Sequence, residues 1–148
     1  MTGVTAGPRD GEDATVAEQC PRCSAPARVY YRVFRRETDV RWSGSLRCDG
    51  CGCMMEWDFD AGDEAARAAI LAANGRWVLA VTSLGRVPIR VLRVIWHELG
   101  FKPAEARARL ERLACGIRTE LELLLAKLVE EGATGECRRL DDAAEFRQ

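Results

Sequence analysis

The sequence has a single histidine, His97, and few rings: four tryptophans, four phenylalanines and two tyrosines in 148 residues. A lone imidazole leaves no paired-histidine motif on which to build catalysis or a histidine-rich metal site. Phosphate-cradling glycine loops, nucleophile motifs and carboxylate pairs in an isolated apolar setting are also lacking. No stretch reaches the roughly eighteen apolar residues of a membrane-spanning helix. The amino-terminal MTGVTAGPRDGEDATVAEQ lacks the apolar run of a signal peptide, so the expected location is the cytoplasm. A net charge of −1 gives no whole-chain attraction to nucleic acid or to a membrane, and no small-molecule site is evident.

That small net charge conceals segregation. Arginine and lysine against aspartate and glutamate run +1 and −4 over residues 1–19, +7 and −3 over 20–53, +1 and −5 over 54–74, and +13 and −11 over the remainder. The basic segment is also where the cysteines gather. Five of the seven lie in CPRC (Cys20–Cys23) and CDGCGC (Cys48–Cys53). Cytosolic reducing conditions disfavour disulfides, and paired CxxC knuckles favour a metal. Cys20, Cys23, Cys48 and Cys51 are the expected ligands of a structural Zn²⁺, which four thiolates hold tetrahedrally at about 2.3 Å. Such a cluster carries −2, offsetting about half of the local +4. Cys53 is the alternative fourth ligand, although CDGC gives the better turn because Gly50 and Gly52 can adopt positive φ. A ribbon that has lost its metal and a redox-active thiol are the competing readings. Against the latter, no lone cysteine has an evident base and neither CxxC sits in a βαβ context. Cys115 and Cys137 read as small buried hydrophobes.

Residues 1–18 show no period that would bury a face and are expected to form a flexible acidic tail. VYYRVFRRETDVRW, from Val29, reads as two strands about an ETD turn, and CMMEWDF as a further strand after the second knuckle. Residues 19–60 therefore have the layout of a zinc ribbon, in which metal replaces a core too small to fold alone. Within Arg28–Arg36, alternation places Arg28, Tyr30, Arg32, Phe34 and Arg36 on one strand face. With Arg35, these are the candidate nucleic-acid contacts, since rings between guanidinium groups suit single strands. The competing reading is cross-strand packing of the rings with solvated arginines.

Residues 61–75 hold an Ala-rich connecting helix, EAARAAILAAN, with Asp63 as N-cap and Gly75 as its stop. Its near-continuous apolar character predicts burial on more than one side. Residues 76–140 then read strand, helix, helix, strand, helix, strand: WVLAVTS, IRVLRVIWHEL opened by Pro88, PAEARARLERL opened by Pro103, a short link, LELLLAKLVEE behind a Thr119–Glu122 capping box, and ATGECRR. Ile89, Leu92, Ile95 and Leu99 are the expected buried side of the first of these helices. The last residues, 141–148, are too short and polar to assign beyond a tail.

From Trp77 to about Arg138 the chain resembles the carboxy-terminal domain of the bacterial ribosomal stalk protein L7/L12. The family's V-x-V-I-K-x-V-R helix, glycine turn and L-K-E-A-K-x-L-V-E helix correspond to IRVLRVIWHELG and FKPAEARARLE, and its E-x-A-G-A to EEGA at Glu130–Ala133. The same small fold resembles the adaptor ClpS. The resemblance implies an α/β fold that binds another protein through a helix surface and does no chemistry. In the stalk family, basic residues on the first two helices recruit translation factors; Arg93 and Arg107 match two such positions. Pro88 and Trp96 depart from the pattern, and RLACGIRTE is about five residues shorter than the family's link.

The expected class is thus α+β: a small zinc-ribbon module followed by an L7/L12-like domain. The expected function is that of a non-enzymatic interaction protein, an adaptor or an immunity-type binder, with Arg93, Trp96, His97 and Arg107 as partner-binding residues and a protein as partner. The alternative is a module that joins ribosomes or nucleic acid through the arginine and aromatic face.

Overall fold

The computed structural model describes residues 11–60 and 62–140. Residues 1–10 of the expected acidic tail and the expected tail at 141–148 lie outside the described residues. The chain is mixed α and β, with two antiparallel sheets, and divides after Gly75 into two compact units. No described helix is long and apolar enough to cross a membrane.

The first unit is a four-stranded meander, β1 (Gly11–Gln19), β2 (Pro26–Arg36), β3 (Asp39–Arg47) and β4 (Met54–Phe59), followed by helix α1 (Glu64–Asn74). Alternation along β2 sends Ala27, Val29, Tyr31 and Val33 to a buried face and leaves Arg28 and Arg32 exposed. Opposed residues of an antiparallel pair share a face. The register Val33↔Trp42 and Trp42↔Phe59 therefore puts Trp42 and Phe59 on that same side, where their rings lie 5.8 Å apart. Gly44 is placed by the same logic, since a β-carbon there would stand 2.6 Å from the Trp57 ring.

Helix α1 packs on β1 and β2. It starts where Asp63 Oδ1 accepts the Ala66 N–H at 2.9 Å and stops at Gly75, φ 86°. Only Ala66, Ala69 and Ile70 are buried along it. The expectation of burial on several sides therefore fails. Alanine is apolar enough to enter a core yet small enough to remain on a helix's solvent side, so an Ala-rich run does not specify how wide the buried stripe is. Asn74 Nδ2 donates at 3.0 Å to the carbonyls of Asp13 and Ile70, fastening the helix end to β1.

Strand β1 corrects the tail reading. Gly11–Gln19 pairs with β2 along nine residues, from Gly11↔Phe34 to Gln19↔Pro26. Its inward positions are Glu12, Ala14 and Val16, an alternation weakened by a glutamate and an alanine where longer aliphatics would announce a strand. The first unit thus begins before residue 19, and its core, with Val33, Trp42 and Ile70 at 2% exposure or less, is larger than a bare ribbon's.

The second unit follows the expected order: β5 (Trp77–Ser83), α2 (Pro88–Leu99), α3 (Pro103–Ala108), β6 (Ala114–Gly116), α4 (Arg118–Glu130) and β7 (Thr134–Arg139). Its sheet runs β6-β5-β7. Val78–Val81 of the central strand are buried, and Leu79 and Val81 join Val91, Leu92, Ile95, Leu113, Leu124 and Leu128 in one core. Pro88 and Pro103 occupy first-turn positions, and Gly100 ends α2 at φ 78° while donating to the Trp96 carbonyl at 2.8 Å.

Three local expectations change. The PAEARARLERL helix ends at Ala108 and continues as a 3-10 turn, Leu110–Arg112, which still points Ala106 and Leu113 inward. Helix α4 begins at Arg118 behind Ile117, without a side-chain cap, so Thr119 is a buried residue of its first turn rather than a capping-box serine equivalent. Ile89 is 54% exposed; the buried side of α2 is Val91, Leu92 and Ile95.

If β1 is integral, the two faces of that strand must respond differently to charge. Ala14→Lys buries an ammonium opposite Tyr31 and should lower unfolding free energy by roughly 3 kcal/mol. Ala17→Lys, on the exposed face, should change it by less than about 0.5 kcal/mol. Urea denaturation of both variants measures this; equal, negligible effects would restore the tail.

Candidate metal centre

The two cysteine knuckles are the loops of two hairpins. Cys20–Ala25 joins β1 to β2, and Cys48–Cys53 joins β3 to β4, so β1–β2 and β3–β4 turn at the same end of the sheet. Each loop is built alike. Cys20 N–H donates to Ala25 O at 2.8 Å and Ser24 N–H to Cys20 O at 2.9 Å; Cys48 N–H donates to Cys53 O at 3.0 Å and Gly52 N–H to Cys48 O at 2.9 Å. Both loops take one left-handed residue at the matching place, Ser24 (φ 64°) and Gly52 (φ 77°).

This equivalence decides Cys53. It occupies the position of Ala25, one residue past the left-handed turn, and contributes a carbonyl to the knuckle. The four sulfurs that converge are those of Cys20, Cys23, Cys48 and Cys51, all within 4.8 Å of one another. Gly50, expected to supply a positive φ, does not. It supplies room: a β-carbon there would lie 3.0 Å from Ala25 Cβ and 3.5 and 3.7 Å from the sulfurs of Cys48 and Cys23.

The separations discriminate between chemistries. Cys20 and Cys51 sulfurs are 3.7 Å apart and Cys23 and Cys48 sulfurs 3.5 Å. A disulfide needs about 2.0 Å. A tetrahedron with four metal–sulfur bonds of about 2.3 Å has an edge of about 3.8 Å. The group therefore fits a tetrahedral metal ion and not two disulfides. Cys20 and Cys48 are buried while Cys23 and Cys51 are exposed, so an ion here would have two sulfurs toward the sheet and two toward solvent.

Electrostatics give the same account. The Cys20 thiol is drawn down to about 6 by backbone N–H donation from Cys23, against the effect of burial and with help from the Arg22 N–H, which reaches its sulfur at 3.4 Å. Cys51 also receives backbone N–H donation, from Cys53, but burial and its contacts with the thiols of Cys23, Cys20 and Cys48 prevail and push it up to about 12. Neighbouring thiolates repel, so without a cation one ionises at the expense of the others. Beside the cluster, Arg28 Nη2 approaches Asp49 Oδ2 at 3.5 Å, an exposed pair worth less than about 1 kcal/mol.

The arginine strand is placed as alternation predicts, and that same alternation sets Arg35, one of the candidate contacts, on the opposite parity from Arg28, Tyr30, Arg32, Phe34 and Arg36. Its face is not purely basic. The register aligns Asp13, Arg32, Ser43 and Asp58 in one row and Thr15, Tyr30, Ser45 and Glu56 in the next, with Asp39 opposite Arg36. Arg32 also lies over the Phe34 ring at 4.8 Å. Asp13, Glu56 and Asp58 belong to segments outside the basic stretch, and only the sheet register reveals that they share its face.

In the second unit, Arg93 and His97 border one groove with Val94, Glu98 and Lys127, a space of about 450 Å³. Arg107 borders a different depression with Val81 and Arg109. Trp96, 53% exposed, lies a turn from Arg93 on α2. Sequence reasoning missed Ile89, which adds a second large apolar side chain to this exposed side. The signal was available, because Ile89, Arg93 and Trp96 are spaced i, i+4, i+7. Cys115, expected to be buried, is exposed: it pairs with Val78 and faces away from the core side that Leu79 and Cys137 share. Burial pushes the Cys137 thiol up to about 12.

Comparisons with protein-family models, curated proteins and solved structures find no match to this chain.

The knuckle geometry makes a separable claim about two thiols two residues apart. Cys51→Ser should lose bound metal or weaken it at least about tenfold, whereas Cys53→Ser should retain one ion per chain. Metal analysis of the purified variants checks this; equal retention by Cys51→Ser and loss by Cys53→Ser would reverse the ligand assignment.

Proposed function

We propose that the chain is a non-enzymatic interaction protein, stapled by a structural Zn²⁺ and recognising a protein partner through the exposed side of α2. Zinc is favoured by the ligand chemistry: four soft sulfurs at tetrahedral spacing suit a redox-inert d¹⁰ ion. Four protein ligands also leave no open position for water or substrate, which is the arrangement of a structural rather than a catalytic site.

The observation that carries the interaction reading is the stripe Ile89, Arg93, Trp96. The fold of the second unit already takes Val91, Leu92 and Ile95 from this helix, so Ile89 and Trp96 at 54% and 53% exposure are not required by its core. A tryptophan flanked by an isoleucine and an arginine is the composition of an interface hot spot. The groove beside it, lined by Arg93, His97 and Glu98 of α2 and by Lys127 and Glu130 of α4, with Glu98 and Lys127 paired at 3.2 Å, offers a polar rim. The likeness of this unit's sequence to the stalk-protein domain supports the same choice of helix. A cytoplasmic adaptor or an immunity-type binder that occludes another protein's surface suits such a design. Arg107 belongs to a separate depression and is not part of this surface.

The alternative, a ribosome- or nucleic-acid-associated module, draws on the outward rings Tyr30 and Phe34 among Arg28, Arg32 and Arg36. Asp13, Glu56 and Asp58 on the same face oppose it, because phosphate binding needs net positive potential.

The readings separate in one experiment. Ile89→Ala with Trp96→Ala should abolish co-purification of the native partner while shifting the unfolding midpoint little, since both side chains are exposed. Replacing Arg28, Arg32 and Arg36 by serine should leave the partner bound. Affinity purification with mass spectrometry and nucleic-acid quantitation reads both; loss of co-purifying RNA or DNA in the arginine variant, with no effect at Trp96, would establish the alternative.

A further inference from the structure

We propose that β4 is a docking edge for an extended basic segment of another polypeptide, which adds a fifth strand to the sheet of the first unit. This surface is distinct from the α2 stripe and does not depend on it.

Among the described residues β4 pairs with β3 alone and forms one border of the sheet. Its outward backbone N–H and C=O groups are therefore a template for another strand. Natural edges are usually blunted by charged side chains, proline, bulges or very short length, and of these β4 carries only the charges, Glu56 and Asp58. Met54–Phe59 has six residues, no proline and an unbroken register with β3. It also presents two large apolar side chains to solvent, Met54 at 62% and Met55 at 46% exposure. Methionine is the adaptable side chain of surfaces that accept varied partners.

The two faces of β4 specify the occupant. On the inner face, Met55 and half-buried Trp57 extend the apolar layer to the border. On the outer face, Glu56 and Asp58 line a shallow depression of about 760 Å³ with Asp13, Tyr30, Arg32 and Ser43, in which three carboxylates outnumber the one guanidinium. Side chains of an added strand alternate between these faces. Apolar residues would meet Met55 and Trp57, and lysine or arginine would reach over Glu56 and Asp58 into the depression. In strand addition the backbone bonds provide affinity and the alternate side chains provide selectivity.

Charge disfavours the simplest competitor, a second copy of this chain. Two β4 strands paired antiparallel about Trp57 would set Glu56 of each against Asp58 of the other. Pairing β4 with the other border, faces matched, would bring the outward Asp13 of β1 to the side that carries Glu56 and Asp58. Like charges directly opposed are destabilising. Residues 54–74 as a whole carry +1 and −5, which attracts a cationic segment and repels nucleic acid.

The test titrates the full chain with a peptide of about eight alternating valines and lysines, longer than β4 on either side. Amide hydrogen exchange should show new protection at the β4 amides that point away from β3. Affinity should fall at least about tenfold for Glu56→Lys with Asp58→Lys, for a valine–glutamate peptide, and for the same valine–lysine peptide N-methylated at alternate backbone nitrogens. Circular dichroism and the unfolding midpoint establish that the variant is folded. Four results would overturn the proposal: no binding, in which case the acids only guard the edge against aggregation; binding that survives N-methylation, which is charge attraction without strand addition; protection appearing away from β4; or self-association through β4 in sedimentation.

Discussion

Four cysteine sulfurs converge from two loops to within 4.8 Å of one another, with Cys20–Cys51 and Cys23–Cys48 at 3.7 and 3.5 Å, and that spacing is the constraint around which the first unit is arranged. Sulfurs so placed cannot all ionise unless a cation lies among them, and they are too far apart to bond covalently. Because the loops are also the turns of the β1–β2 and β3–β4 hairpins, any ion they hold ties two hairpins at one end of the sheet. The other end is closed by the β2–β3 turn, where Glu37 takes a left-handed conformation, and the middle is closed by Trp42, Phe59 and α1.

That division of labour changes the role of the metal from the one the sequence suggests. A bare ribbon leans on its ion because its core is too small. Here α1 packs on β1 and β2, burying Ala66 and Ile70, Arg67 lies over the Trp42 ring at 5.5 Å, and β1 widens the sheet. An ion held there would fix the register of the two knuckles and, through β4, the disposition of the acidic border. The second unit needs no such device, having a continuous core around Leu79, Ile95 and Leu128. Its exposed Ile89 and Trp96 are the surplus that the interaction reading uses.

Much of this was legible in advance where the local chemistry is strong. The CxxC spacing picked out the four cysteines whose sulfurs converge, and Asp63, proline and glycine placed the ends of α1 and α2. Strict alternation also named the outward face of β2. The failures lie where a residue tolerates two environments. Alanine hid the one-sidedness of α1, and the acidic, glycine-led β1 resembled a tail because an edge strand needs only two or three inward residues. Ile89 was assigned to the core because a helix periodicity with one extra apolar position does not say which position is left outside. The mixed charge of the arginine face was invisible for a different reason: Asp13, Glu56 and Asp58 are remote in sequence, and only pairing brings them beside Arg32.

The account stands or falls on whether an ion joins the two hairpins. Amide hydrogen exchange of the purified chain, before and after stoichiometric removal of zinc by a chelator, addresses this directly. Protection should fall at Cys20–Ala25, Cys48–Cys53 and the adjoining ends of β1 to β4, while the amides of β5, α2 and α4 are unchanged. A chain that purifies without metal, or one whose knuckle protection is indifferent to its removal, would contradict it.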